Sequence, residues 1–284
     1  MLAQQVLNGI TLGANYALIA LGLTMVFGIL GILNLSHGQM YMLGAFVCYF
    51  LVKLYSVDFF VSMAISMVVV GCLGIFVEKS VIRPLRGQPD ENFLILTMGL
   101  LMVMENLALF FWGTNPRSLD LPYSKVSYDV AGVVITLQRI IVLGVVVGLF
   151  SCLYWFLKKT KWGKAIRAVA QEKEGAAAVG ISVDAISCMT FAIGSSLAAA
   201  AGSLTGSIYV VYPSMGFMPM LKSLVVVIFG GLGSAVGAIV AGLILGLAEI
   251  FGQVYISSEY KDAIAFGILI VILSLKPSGL FGRR

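Results

Sequence analysis

The sequence predicts an all-α polytopic membrane protein with about eight transmembrane helices plus one broken or re-entrant segment, packed as a bundle through glycine. Three observations predict it. Of 284 residues, 60% are apolar and 11% are charged, with a mean hydropathy of +1.03, whereas roughly a quarter of residues are charged in a soluble domain. A helical crossing takes about 20 apolar residues, so spans fill the length and leave no room for a soluble catalytic or nucleotide-binding domain. A spanning β-barrel would show segments of about 10 residues in strict alternation, and runs such as Leu224 to Phe229 do not alternate.

Charge placement gives a topology. A net charge of +5 would suggest nucleic acid or acidic partners for a soluble protein, but within a bilayer the position of each charge matters more than the sum, and no nucleic acid is expected. Most of the 18 basic residues fall in three clusters. These are Lys79, Arg83 and Arg86; Lys158, Lys159, Lys161, Lys164, Arg167 and Lys173; and Lys276, Arg283 and Arg284. The positive-inside rule puts all three in the cytoplasm. No Lys or Arg precedes Lys53, which argues against a signal peptide and for an exterior N-terminus.

The elements follow in order. An apolar run from about Val6 to Leu33 is too long for one ordinary crossing, and Asn34-Leu-Ser-His-Gly38 interrupts it before apolar character resumes at Met40. A helix, a break and a second helix to about Tyr55 result. A third span, Phe59 to Val77, ends at the first basic cluster with Pro84 and Pro89 as stop signals. A fourth covers Phe93 to Trp112, and polar Thr114 to Asp129, with Pro116 and Pro122, lies outside. The fifth, Arg139 to Leu157, returns to the basic segment Lys158 to Ser182, and the sixth, about Val183 to Thr205, leads outward to Pro213 and Pro219. The next 30 or so residues from Lys222 are apolar throughout, yet one crossing would leave the basic C-terminus outside. Gly230-Gly-Leu-Gly-Ser234 turns the chain, between a short segment broken near Pro219 and a span from Ala235 to Gly252. A final helix, Ala263 to Leu275, ends before Pro277.

Glycine pairs four residues apart, Gly9/Gly13, Gly144/Gly148, Gly202/Gly206, Gly233/Gly237 and Gly242/Gly246, put small faces where another backbone can approach. No catalytic constellation is present. One histidine excludes a His-rich metal site, and Gly163-Lys164-Ala165 lacks the pattern of a phosphate loop. Cys48, Cys72, Cys152 and Cys188 stand alone, without the spacing of a metal or redox motif. The chain is therefore expected to be no enzyme and to need no cofactor or metal.

Polar and ionisable groups within apolar runs are costly unless they meet a partner or a wet cavity. Glu105 falls mid-span beside Asn106, Glu249 lies deep in a late span, and Asn8 and Asn15 share a face of the first span with Tyr16 adjacent. Such groups either line a translocation path or tie helices together. Asn15, Tyr16, Asn34, His37, Glu105 and Glu249 are the pathway candidates, with His37 better suited to cap the broken backbone. The segment from about 158 to 182 is too long for a connector and mixes small and charged residues at helical spacing. Arg167 and Gln171 share a face, and Gly180 sits at a helix C-cap. A small-residue, partly charged surface helix suits docking to a soluble partner.

Gly22-Leu-Thr-Met-Val-Phe-Gly28, Asn34-Leu-Ser-His-Gly-Gln-Met40 and Gly44-Ala45 early, Arg167-Ala-Val-Ala-Gln171 and Ala176-Ala-Ala-Val-Gly-Ile181 in the middle, and Phe229-Gly-Gly-Leu-Gly-Ser234, Gly237-Ala238 and Glu249 late together resemble a permease subunit of the ABC importers for branched-chain amino acids. The resemblance spans nearly the whole chain. It implies a single permease domain over residues 1–284 of a bacterial inner membrane, N-terminus periplasmic and C-terminus cytoplasmic. It also implies a homologous second permease, two cytoplasmic ATP-binding subunits, a periplasmic substrate-binding protein, an amino-acid substrate and surrounding membrane lipid. Glu174 to Ile181 then corresponds to the segment through which ABC permeases contact their ATPases, departing from the stricter Glu-Ala-Ala form at Gly175. Arg167, Gln171, Glu174, Ala176, Ala177 and Gly180 are the coupling candidates. The same motifs fit a urea or short-amide permease. A self-sufficient secondary transporter or channel, the other class, would show clustered intramembrane acids, whereas here they are isolated in sequence.

Overall fold

The computed structural model describes residues 2–130, 133–276 and 279–282. Arg283 and Arg284 of the third basic cluster and the stop signal Pro277 lie outside the described residues. The chain forms α1 (Leu2–Leu30), α2 (His37–Tyr55), α3 (Phe59–Val77), α4 (Asp90–Trp112), a hairpin of β1 (Ser127–Val130) and β2 (Val133–Thr136), α5 (Leu137–Lys159), α6 (Lys161–Gln171), α7 (Lys173–Ala178), α8 (Val183–Ile208), α9 (Phe217–Gly230), α10 (Ala235–Tyr255) and α11 (Lys261–Leu275). Among the described residues six helices are long and apolar enough to cross a membrane: α1, α3 with its extension to Leu85, α4, α5, α8 and α10. The sequence count of about eight is thus met in part, since α2, α9 and α11 are present but fall outside those six.

Burial separates centre from periphery. The most apolar windows of α1 and α8 are 83% and 72% buried, against 28% for α4 and 17% for α5. α1 and α8 therefore form the core, and α4 and α5 present most of their apolar surface outward, as lipid-facing helices do. Close backbone approach explains the central glycines. Gly13 faces the Gly242 carbonyl of α10, Gly202 faces the Tyr41 carbonyl of α2, and Gly22 faces Gly194 of α8. Gly144 and Gly148 meet nothing within 4 Å among the described residues, so this pair is not packed against another helix there, contrary to the expectation from its spacing.

The expected break is present. α1 stops at Leu30, and in the connection Asn34 Oδ1 accepts bonds from the Ser36 N–H at 3.1 Å and hydroxyl at 2.6 Å. The expected turn after α9 also forms, with Gly231 at φ +100° and Gly233 at φ +81°, conformations that side chains resist. Ser234 then caps α10 by accepting from the Gly237 N–H at 3.0 Å. One departure from an all-helical chain is the antiparallel hairpin, with Tyr128 opposite Ile135 and Asp129 opposite Val134. The polar stretch expected outside, Thr114 to Asp129, runs into this hairpin. β-branched Val133, Val134, Ile135 and Thr136 favour the extended form.

The hairpin and the first residues of α1 and α5 share one end of the bundle. The Val134 N–H donates to Gln4 Oε1 at 2.9 Å, and Arg139 bonds Asn8. At the other end lie α6, α7 and the start of α8, where Lys173 Nζ donates to the Leu30 carbonyl at 3.3 Å and Arg86 pairs with Asp184.

Candidate functional site

A cavity of about 570 Å³ opens at the hairpin end between α1, α8, α9 and α10. Among its lining residues are Asn15, Tyr16, Thr205, Lys222 and Glu249, with Arg139 and Lys261 contributing further cations. Three of the six sequence candidates for the pathway, Asn15, Tyr16 and Glu249, therefore meet in one place.

Tyr16 and Glu249 belong to a buried charge cluster. Lys222, on α9, is 4% exposed and Glu249, on α10, 3%. Lys222 Nζ lies 2.5 Å from Glu249 Oε1 and 2.8 Å from Asp262 Oδ1 at the start of α11. It also donates to the Tyr16 hydroxyl at 3.2 Å, and that hydroxyl donates to Glu249 Oε2 at 3.1 Å. The buried Lys222 and Glu249 and the partly exposed Asp262 thus join α1, α9, α10 and α11, and an unpaired charge at the buried pair would be costly. The amide of Asn15 donates to the Thr205 hydroxyl, while its Oδ1 is buried without a hydrogen-bond partner among the described residues.

Lys222 and Asp262 were not singled out from the sequence. The available signal was a lysine inside the apolar stretch Met220 to Phe229. An intramembrane ionisable residue points to a function and to a partner of opposite sign.

The remaining pathway candidates do not line this cavity. Asn34 caps the break through Ser36. The His37 ring is buried against α1, where a Cβ on Gly22 would stand 2.9 Å from its Nε2. The side chain that satisfies the broken backbone is thus that of Asn34, which accepts from the Ser36 N–H, while the His37 ring packs against α1. Glu105 is half-buried and accepts a bond from Gln39 Nε2 at 3.4 Å, linking α4 to α2. Among the described residues no group of three or more His, Cys, Asp or Glu could hold a metal ion.

At the opposite end, α6 is strongly two-faced. Gly163, Ile166 and Val169 are buried, while Lys161, Lys164, Arg167 and Gln171 face outward. Thr160 caps it by accepting from the Gly163 N–H at 2.9 Å. In α7, Glu174 and Ala177 are exposed, as is Gly180 beyond it, whereas Ala176 is buried. Gly180 has φ +84°. Its N–H donates to the Ala177 carbonyl at 3.0 Å and that of Ile181 to the Ala176 carbonyl at 3.0 Å, the left-handed helix stop expected from the sequence. Beside it, Glu78 is fully buried and paired with Arg83 at 2.9 Å and with Arg86, and both arginines also pair with Asp184 of α8.

A multi-pass helical bundle with a polar cavity at one end and a two-faced surface helix at the other has the form of a membrane transport protein. The model for the branched-chain amino acid transport system permease component matches residues 5–273. The chain belongs to that family, the permeases of ABC transporters. It is 34% identical to the high-affinity branched-chain amino acid transport system permease protein BraD of Pseudomonas aeruginosa, over 99% of this chain and 95% of that protein. LivH of Escherichia coli K12, named for the same system, is also 34% identical over 99% of this chain and 95% of its own length. LivM of the same organism is 26% identical over 95% of this chain and 68% of its length. Among solved structures, PsaBC from Streptococcus pneumoniae in complex with Fab superposes with a TM-score of 0.54 at 11% identity, covering 98% of this chain and 97% of that one. That likeness bears on the fold alone.

Proposed function

We propose that this chain is the transmembrane permease subunit of an ATP-driven importer of branched-chain amino acids in a bacterial inner membrane. It acts with a homologous second permease, two cytoplasmic ATPase subunits and a periplasmic substrate-binding protein. The observation that carries the reading is the near full-length match to permeases named for that transport system. Residues 1–284 act as one transmembrane domain. The segment from about 158 to 182 receives the ATPase, through Arg167, Gln171, Glu174, Ala177 and Gly180 on its exposed side, with Ala176 holding α7 in place.

The α6–α7 end faces the cytoplasm and the hairpin end the periplasm. In support, Lys158, Lys159, Lys161, Lys164, Arg167 and Lys173 gather at the α6–α7 end, and the Arg86 contact with Asp184 brings the first basic cluster to the same side. Residues 279–282 return to the end of α9, where the Leu280 N–H donates to the Phe229 carbonyl at 2.8 Å. The C-terminus is accordingly cytoplasmic and the N-terminus periplasmic. The cavity then receives substrate from the periplasmic side.

The test is uptake of L-leucine into proteoliposomes holding the complete complex. Import must require ATP and the binding protein, and leucine uptake that ignores ATP would sink the reading. A cysteine at Lys161 should react only from the cytoplasmic side and one at Ser124 only from the periplasmic side. Reversed labelling would overturn the orientation.

A further inference from the structure

Lys222 Nζ sits among Glu249 Oε1 at 2.5 Å, Asp262 Oδ1 at 2.8 Å and the Tyr16 hydroxyl at 3.2 Å. These groups form a receptor for a primary ammonium, the same chemical group that a free α-amino acid carries. Lys222 and Glu249 both line the cavity, so their ion pair is presented to whatever enters it. An ion pair so placed is a template for a second dipole of opposite sense, in which each charge meets its complement.

Two further features fit the same guest. Asn15 is 8% exposed and its Oδ1 has no partner among the described residues, which leaves a buried acceptor on the cavity wall whose desolvation is uncompensated until a donor arrives. Leu12, Ile19, Met215 and Ile250 line the same cavity and offer apolar surface to an aliphatic side chain.

We infer that the cavity binds the zwitterionic head group of an aliphatic α-amino acid on the Lys222–Glu249 pair. The substrate carboxylate bonds to Lys222 Nζ, and its ammonium bonds to Glu249 and Asn15 Oδ1. The side chain lies on Leu12, Ile19 and Met215. Asp262 keeps Lys222 paired while Glu249 turns to the guest. A zwitterion adds no net charge, so loading does not strand a charge in the bundle. Urea and simple amides have neither charge and cannot make the exchange. This deepens the amino-acid reading above and rests on it.

The experiment uses the complete complex without the binding protein, so that selection at the cavity is read directly. Exposed Cys72 and Cys152 are replaced by serine, and a single cysteine is placed at Met218, an exposed lining residue. L-Leucine should slow alkylation of that cysteine. Isocaproate, which lacks the ammonium, isoamylamine, which lacks the carboxylate, and urea should not. Asn15→Leu should raise the leucine concentration for half-protection at least about tenfold, the usual worth of a hydrogen bond to a charged group. Glu249→Gln should do the same. If Glu249→Gln fails to fold, Asn15→Leu, which leaves every charge paired, decides alone. Protection by urea or isocaproate equal to that by leucine, no protection by leucine, or unchanged protection in Asn15→Leu would each overturn the inference. ATP-driven leucine uptake by the wild-type complex separates the two readings. Uptake without protection overturns this inference only, whereas absence of uptake removes the reading beneath it.

Discussion

The charge cluster is lopsided, and the imbalance predicts unequal costs for removing its members. Lys222 contacts two carboxylates, Glu249 at 2.5 Å and Asp262 at 2.8 Å. Lys222→Met leaves Glu249, 3% exposed, without the cation that faces it. Breaking a buried pair in this way costs about 3–5 kcal/mol, because an uncompensated charge remains in the interior. Glu249→Gln is milder. Lys222 keeps Asp262, and the glutamine carbonyl still accepts from Tyr16 or Lys222, so the cost falls to about 1–2 kcal/mol, the range of a weakened charged hydrogen bond. Replacing the pair together, Lys222→Met with Glu249→Leu, removes both desolvation penalties and should lie closer to wild type than Lys222→Met alone. The assay is thermal unfolding of the detergent-purified chain. With about 2–4 °C of midpoint per kcal/mol in a protein somewhat smaller than this one, Lys222→Met should fall by roughly 10 °C and Glu249→Gln by a few degrees. A larger loss in Glu249→Gln than in Lys222→Met, or a double variant below both singles, would refute the reasoning.

Three other outcomes are expected. Gly13→Ala puts a Cβ 2.6 Å from the Gly242 carbonyl oxygen and 2.8 Å from the Leu243 Cα, backbone that cannot rotate aside, and overpacking of this kind costs about 1–3 kcal/mol. Gly144→Ala meets open space and should gain about 0.5–1 kcal/mol of helix stability, so melting shifts of the same sign would contradict the packing described. Arg167→Glu, on an exposed side chain of α6, should abolish substrate-stimulated ATPase activity of the complex with the chain still folded, as should Gly180→Trp; normal coupling in both would remove the docking assignment. Glu105→Gln retains an acceptor for Gln39 and should leave leucine uptake nearly intact, and a stable variant without transport would move Glu105 into the pathway.

What could be read in the sequence were the features that a local pattern determines. Asn34-Leu-Ser-His-Gly38 marks a break because short polar side chains bond to neighbouring backbone, and Asn34 does so through Ser36. Gly230 to Ser234 marks a turn and Gly180 a helix stop, because glycine accepts positive φ cheaply, and Gly231, Gly233 and Gly180 all adopt it. What could not be read was what each face meets. Lys222 and Glu249 are separated by a turn and a helix, and no periodicity shows that they touch. Asp262 lay outside a final helix expected to begin at Ala263, whereas the helix begins at Lys261 and so brings this carboxylate to Lys222. The same limit produced the error on Gly144 and Gly148. Four-residue spacing fixes that two glycines share a face and leaves open whether any helix lies against it.

The placement of the break also has a mechanical sense. Lys173 of α7 bonds the carbonyl of Leu30, the last residue of α1, and the backbone leaves helical form immediately afterwards. Past the break, Gly38 at the start of α2 packs on the backbone of Gly216, which precedes α9, and on Met220. Two turns or fewer along α9 stands Lys222. The helix break thus lies between a contact of α7 with the end of α1 and a close approach of α2 to the backbone before α9, the latter through Gly38 and Gly216. Packed interiors resist small deformations and shift between discrete arrangements, so this arrangement suits rigid-body movement of α9 with its charge cluster. α4 and α5 lie at the periphery of the bundle, outside these contacts. At Gly38 any side chain would meet the Gly216 carbonyl and hold α2 and α9 apart.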